Sequence, residues 1–96
     1  MPTFVSLINV TDQGVKNLKE SPQRTEALQA MAEKVGIKIK SIYYTQGQYD
    51  MVTIMEGDDE AAMVVSLKLL SLGNVRTQTM RAFSVDEMKG FMSKMP

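Results

Sequence analysis

The chain has no cysteine and no histidine. Without cysteine there is no disulfide and no thiolate metal site. Without histidine the commonest general base and metal ligand is missing. A Ser-His-Asp or Cys-His arrangement, and a histidine-bound zinc, iron or haem, are therefore excluded. Charge of one sign is lacking too, because 11 Lys and Arg balance 11 Asp and Glu. A general nucleic-acid or membrane-surface binder would carry a basic surplus. No long apolar run is present. The strongest, Ala61 to Leu67, is broken by Ser66 and stops at Lys68, too short to span a bilayer. Neither G-x-x-x-x-G-K-S/T nor G-x-G-x-x-G occurs, so no phosphate cradle is signalled. The first residues read as a strand rather than a charged leader with an apolar signal core, and a soluble cytoplasmic protein is expected.

What is present is ordinary for one globular domain. The chain has 96 residues, 44% apolar and 23% charged, enough for a single domain over 1–96 and too few for two. Thr3 to Val10 is β-branched and apolar, the pattern of a strand buried on both faces. Thr11 offers an N-cap and Asp12 suits a positive helix end, predicting a helix through Lys19. Ser21 and Pro22 restart a second helix, with Ser as cap and Pro in the first helical position. Leu28, Met31, Ala32 and Val35 give it an amphipathic stripe, and Gly36 ends it.

Ile37 to Thr45 and Tyr49 to Glu56 alternate as two strands of a hairpin across Gln46, Gly47 and Gln48. Asp58 and Asp59 open a helix through Leu72, and Gly73 and Asn74 end it. Val75 to Phe83 is a fourth strand. Ser84 and Glu87 form the S-x-x-E capping box of a last short helix. This order predicts an α+β, ferredoxin-like βαββαβ sandwich with an extra C-terminal helix. The first strand should lie between the third and fourth, with the second at an edge.

The face under the helices should be the more uniformly apolar one. That pairs Ile37 and Ile39 with Val52 and Ile54, and Val5 and Leu7 join them. Tyr44 then stands opposite Tyr49 and Ile42 opposite Met51, around a tight turn at Gln46 and Gly47. Phe4, Ser6, Ile8, Ile42, Met51, Thr53 and Met55 are left on an outer face too apolar for water. Either the same face of a second copy covers it through a two-fold interface, with Phe4, Ile8, Ile42, Met51 and Met55 at the contact, or the last helix folds across it. The dimer is the leading expectation, because one short helix covers a sheet poorly.

Gly47-Gln48-Tyr49-Asp50 followed by Met51-Val52, with Leu72-Gly73-Asn74-Val75-Arg76-Thr77 and Thr79 downstream, resembles the GYD domain family. The resemblance runs from Phe4-Val5, Leu7-Ile8 and Thr11 to Arg81-Ala82-Phe83. It implies a dimeric α/β-barrel, in which two ferredoxin-like sheets pack face to face, and it brings no activity with it. More loosely, Gly47, Tyr49, Asp50, Val75, Thr77 and Thr79 resemble the effector-binding domain of leucine-responsive-type transcription regulators. No helix-turn-helix precedes the first strand, so direct DNA binding is not expected, while a small ligand between subunits is compatible with the resemblance.

Site candidates follow from the topology. The rim where the first strand ends and the third and fourth begin gathers Thr11, Asp12, Gly47, Tyr49, Asp50, Asn74 and Arg76. Asp50 is expected to cap the open N–H groups of the first helix. Its functional alternative is a general acid or base, or a partner of Arg76 around a polar ligand. Tyr44 and Tyr49 either brace the hairpin or wall a cavity between two sheets, with Ser6 and Thr53. Asp58, Asp59 and Glu60 serve the helix dipole rather than a metal. The leading expectation is a small homodimeric ligand-binding or regulatory module without metal or cofactor. The alternatives are a cofactor-independent, monooxygenase- or isomerase-like enzyme using the cavity, and a structural or interaction subunit.

Overall fold

Each element begins and ends where local chemistry directs it. In the computed structural model, which describes residues 1–96, β1 (Thr3–Val10) is followed by a short α1 (Asp12–Lys16). The Thr11 hydroxyl caps α1 by accepting the Gly14 N–H. A single 3-10 turn, Leu18–Glu20, leads into α2 (Ser21–Lys34). Pro22 lies in the first turn of α2, but Ser21 is not the cap: Glu20 is, with no side-chain bond. The Ser21 hydroxyl is spent elsewhere, on Tyr44. After β2 (Lys38–Tyr44) and β3 (Met51–Glu56), Asp58 Oδ1 accepts the Ala61 N–H at 2.7 Å and starts α3 (Asp59–Leu72). Gly73 stops α3 at φ 78°, a left-handed conformation that side chains resist. β4 (Val75–Ala82) and α4 (Val85–Met92) complete the chain. The expected Ser84–Glu87 capping box opens α4, and the Ser84 N–H holds the Glu87 carboxyl below the usual carboxylate range.

The strands form one antiparallel sheet in the order β2-β3-β1-β4, an α+β ferredoxin-like arrangement with β1 inside and β2 at an edge. The helices cover one face. Phe4 and Met55 from the sheet pack with Ile37, Ala32 from α2, and Ala61, Ala62 and Val65 from α3. Leu28, Met31, Ile39 and Leu69 close around this core.

This is the opposite face of β1 and β3 from the one expected. Phe4, Ile8, Met51 and Met55 are buried under the helices, and Ile42 shares their side as the ladder partner of Thr53. They cannot form a dimer contact. The cause is one β-bulge. Ile39 pairs with Met55, yet Ser41 pairs with Ile54, so Lys40 is left out of the ladder. Ile39 and Ile42 then face the same way, although three residues apart in an alternating strand. Ile37 and Ile39 do face the helices, as read. Uninterrupted alternation carried that assignment to Val52 and Ile54, and from there to Val5 and Leu7.

Val5, Leu7, Val52 and Ile54 therefore line a bare face, joined there by Met80, Gln78 and Tyr43 through the ladder. No helix lies over it. α1 meets Val10 on the covered side, and α4 is exposed along its whole length, its Phe91 set edge-on to Phe83 at 5.1 Å just past the end of β4. α4 projects beyond the sheet and stretches the molecule to 52 × 31 × 19 Å.

Gly14 is where α1 presses on the start of β4. A Cβ there would run into the Asn74 carbonyl oxygen and Val10 Cγ1. Alanine is worth about 1 kcal/mol more than glycine inside a helix. Overpacking against backbone costs about 1–3 kcal/mol and outweighs it. Gly14→Ala is expected to lower the melting temperature by about 5 °C or more. A variant melting at or above wild type in a thermal scan would show that α1 does not depend on this contact.

Candidate functional site

The rim at which β1 leaves the sheet and β3 and β4 begin is built from cross-chain hydrogen bonds. Asp50, half-buried ahead of β3, is held at three points. Its Oδ2 accepts the Val10 N–H at 2.8 Å. Its own N–H donates to the Ile8 carbonyl, and its carbonyl accepts the Thr45 N–H, both at 2.8 Å. The carboxylate thus extends the β1–β3 ladder by one rung where β1 turns away. The expected cap on α1 is not made, because Thr11 Oγ1 already takes the Gly14 N–H at 3.1 Å. Asp50 serves the residue before the cap, not the helix.

Asn74 ties β4 to the same corner. Its carbonyl accepts the Thr11 N–H at 3.0 Å, and the Thr11 hydroxyl donates to the Gly73 carbonyl at 2.7 Å. Gln13 Nε2 donates to Asn74 Oδ1 and to the Leu72 carbonyl, each at 3.1 Å. Gln13 was not among the sequence candidates. Its only signal is its place two residues after a cap, where a long amide can reach a neighbouring helix end. Arg76 is separate from this corner. It pairs with Asn9 in the ladder, is exposed, and contacts only the Val75 carbonyl at 3.2 Å. No ion pair joins it to Asp50.

The two tyrosines part company. β2 and β3 are linked by a six-residue loop, 45–50, and Tyr44 pairs with Met51 rather than Tyr49. The Tyr44 hydroxyl meets Ser21 Oγ at 3.0 Å and Thr25 Oγ1 at 3.3 Å, on the α2 side. The Tyr49 hydroxyl instead donates to Gln78 Oε1 at 3.0 Å. Gln78 is the ladder partner of Leu7, so this bond crosses the bare face. Ser6 and Thr53, expected in the wall of a cavity between sheets, are buried beneath the helices, with Ser6 Oγ 2.7 Å from Thr79 Oγ1.

The rim therefore offers one carboxylate already holding a backbone N–H and one unpaired guanidinium at a distance. No group of three acidic side chains is placed to hold a metal ion. No helix is long and apolar enough to cross a membrane. Such a corner joins chain segments. It does not assemble an acid, a base and a nucleophile around a common point.

The family model described as the GYD domain matches residues 4–92. The chain belongs to the GYD domain family. A curated relative from Thermus thermophilus, described as a glutamine synthetase and cystathionine beta-lyase binding protein, is 34% identical over 90 residues. That match covers 92% of this chain and 95% of the relative. The crystal structure of TTHA0845, also from Thermus thermophilus, is 27% identical, with a TM-score of 0.56 over 88% of this chain and 96% of that one. FFRP-DM1 has a TM-score of 0.60 at 23% identity, over 86% of this chain and all 100% of that one, a likeness of fold alone.

Within this GYD domain the Tyr49-Asp50 pair and the Gly73-Asn74 turn close one end of the sheet. Asp50→Ala leaves the Val10 N–H without its partner and is expected to cost about 1–3 kcal/mol in urea unfolding. Asp50→Asn keeps an acceptor oxygen and is expected to cost less. Equal stability of Asp50→Ala and wild type would remove Asp50 from the scaffold and make it the first residue to test for activity.

Proposed function

We propose that this GYD domain is a homodimeric protein-interaction module that binds metabolic enzymes, of the kind named for its Thermus relative. The observation that carries the dimer is the bare sheet face. Val5, Leu7, Val52 and Ile54 lie there half-buried with no helix over them, beside Met80 at 39% and Tyr43 at 62% exposure. A contiguous apolar face on a soluble domain calls for a partner. Four strands of six to eight residues span roughly 24 by 19 Å. Two such faces together approach the ~1,000 Å² that a specific interface needs. Enzyme binding rests on the 34% identity across nearly the whole chain with a relative described as a binding protein.

The two parts are tested separately. Size-exclusion chromatography with light scattering is expected to give wild type twice the 10.7 kDa chain mass. Ile54→Lys places a charge at the centre of the bare face, where desolvation without a partner costs several kcal/mol. It is expected to run at the single-chain mass while keeping wild-type circular dichroism. A monomeric wild type, or an Ile54→Lys dimer, would refute this interface. Biolayer interferometry against a purified glutamine synthetase and a purified cystathionine beta-lyase tests the second part. Saturable binding to either is expected, and flat traces with both at tens of micromolar would end the enzyme-binding reading.

A further inference from the structure

The covered face of the sheet is not evenly covered. α2 stands over β2 and α3 over β4, leaving the middle strands to be bridged from both sides. At the Phe4 end, Ala32, Ala61, Ala62 and Val65 close the gap. At the Ile8 end it remains open, as a cleft of about 300 Å³. Ile8 and Met51 form its floor, Leu28 and Met31 its α2 wall, and Leu69 and Leu72 its α3 wall. Polar groups stand at the margin, among them Ser21, Arg24, Thr25 and Lys68. The two hydroxyls are taken by Tyr44. Arg24 is shared with the Asn17 carbonyl at 2.9 Å and Glu20 at 3.8 Å. Lys68 has no acidic partner.

We propose that this cleft binds a small amphiphilic carboxylate. Its apolar body rests on Ile8 and Met51 and its carboxylate lies at the Lys68 and Arg24 margin. An apolar cavity with a few convergent polar groups is the ordinary form of a small-molecule site. The size fits: at about 30 Å³ per water-sized group the cleft holds about ten such groups, a medium-chain acid or one substituted ring. Arg24 is already offset by Glu20, so Lys68 is the margin cation without an acidic partner, and it selects an anionic head over a cationic one. The cleft also lies on the other side of the sheet from the proposed dimer face, so it is free whether or not the chain dimerises.

Octanoate, and octanol as its uncharged counterpart, are the probes, titrated into the isotope-labelled full chain and followed by NMR. Octanoate is expected to give saturable shifts at Leu28, Met31 and Leu69. Octanol is expected to bind about two- to fivefold more weakly, the worth of a partly screened ion pair. Lys68→Glu weakens octanoate by at least that factor and leaves octanol unchanged. Ala27→Trp, placed on the exposed margin of the cleft, fills it and abolishes binding of both. Lys68 and Ala27 are exposed, and the unligated spectra check that each variant folds, with Lys68→Gln as a second charge variant. Millimolar octanoate without saturable shifts in the cleft, or with shifts gathered on the bare sheet face instead, overturns the site. Equal binding of octanoate and octanol, indifferent to Lys68→Glu, overturns the preference for an anion.

Discussion

Between Ile39 and Ser41 the β2–β3 ladder slips by one residue, and Lys40 is the residue that steps out. A strand turns successive side chains to opposite faces, and a bulge lets two stretches of it serve the same one. Ile39 on one side of the step and Ile42 on the other thus both point towards the helix layer. The core that receives Ile37 and Ile39 is the core of Phe4, Met55 and Val65. Lys40 itself reaches Glu56 at 3.2 Å, at the surface of the neighbouring strand. Such an exposed pair is worth less than about 1 kcal/mol. Its position matters more than its energy, because a bulge carrying a lysine on an edge strand spoils the template that edge would offer another chain.

With the helices committed to that side, the opposite face is left apolar and bare, and this explains what could be read in the sequence and what could not. Caps and stops are local chemistry, so Thr11, Asp58, Ser84 and Gly73 announce their elements in the residues themselves. Strand order follows from element order and short connections. The choice of face has no such local signal. Val5, Leu7, Val52 and Ile54 are as apolar as Phe4, Ile8, Met51 and Met55, so period-two alternation shows no contrast between the faces. Ser6 and Thr53 add a false hint. Their hydroxyls look solvent-facing, yet Ser6 is buried at no great cost because Thr79 completes its hydrogen bond. Lys40, one lysine among alternating polar residues, does not declare a bulge. A single such residue reverses the assignment of every position on the neighbouring strands.

The polar rim is the counterpart of the apolar end. Around Phe4 the molecule is closed by side-chain burial. Around Asp50 it is closed by hydrogen bonds that cross between distant segments: Asp50 to Val10, Thr11 to Gly73 and Asn74, Gln13 to Leu72. The residues that carry the family resemblance fall mainly here. Their chemistry is that of joints: short acceptors and donors beside backbone, and a glycine where the chain must turn left-handed. A motif of this kind is legible as a motif while its purpose stays hidden. Whether an acid caps, ligates or catalyses depends on what lies within 3 Å of it, and for Asp50 that is the amide of Val10.

Away from the polar corner the domain has two apolar surfaces back to back, the cleft under the helices and the bare sheet face. The strands that floor the cleft with Ile8 and Met51 present Leu7 and Val52 to the bare face, one residue away in each case. The sheet is one backbone layer thick, and close-packed layers move by discrete shifts rather than by yielding smoothly. Anything that repositions β1 and β3 on one side repositions them on the other. Thermodynamic linkage then makes the effect mutual: if pairing of the bare faces changes the affinity of the cleft, filling the cleft changes the dimer affinity by the same factor.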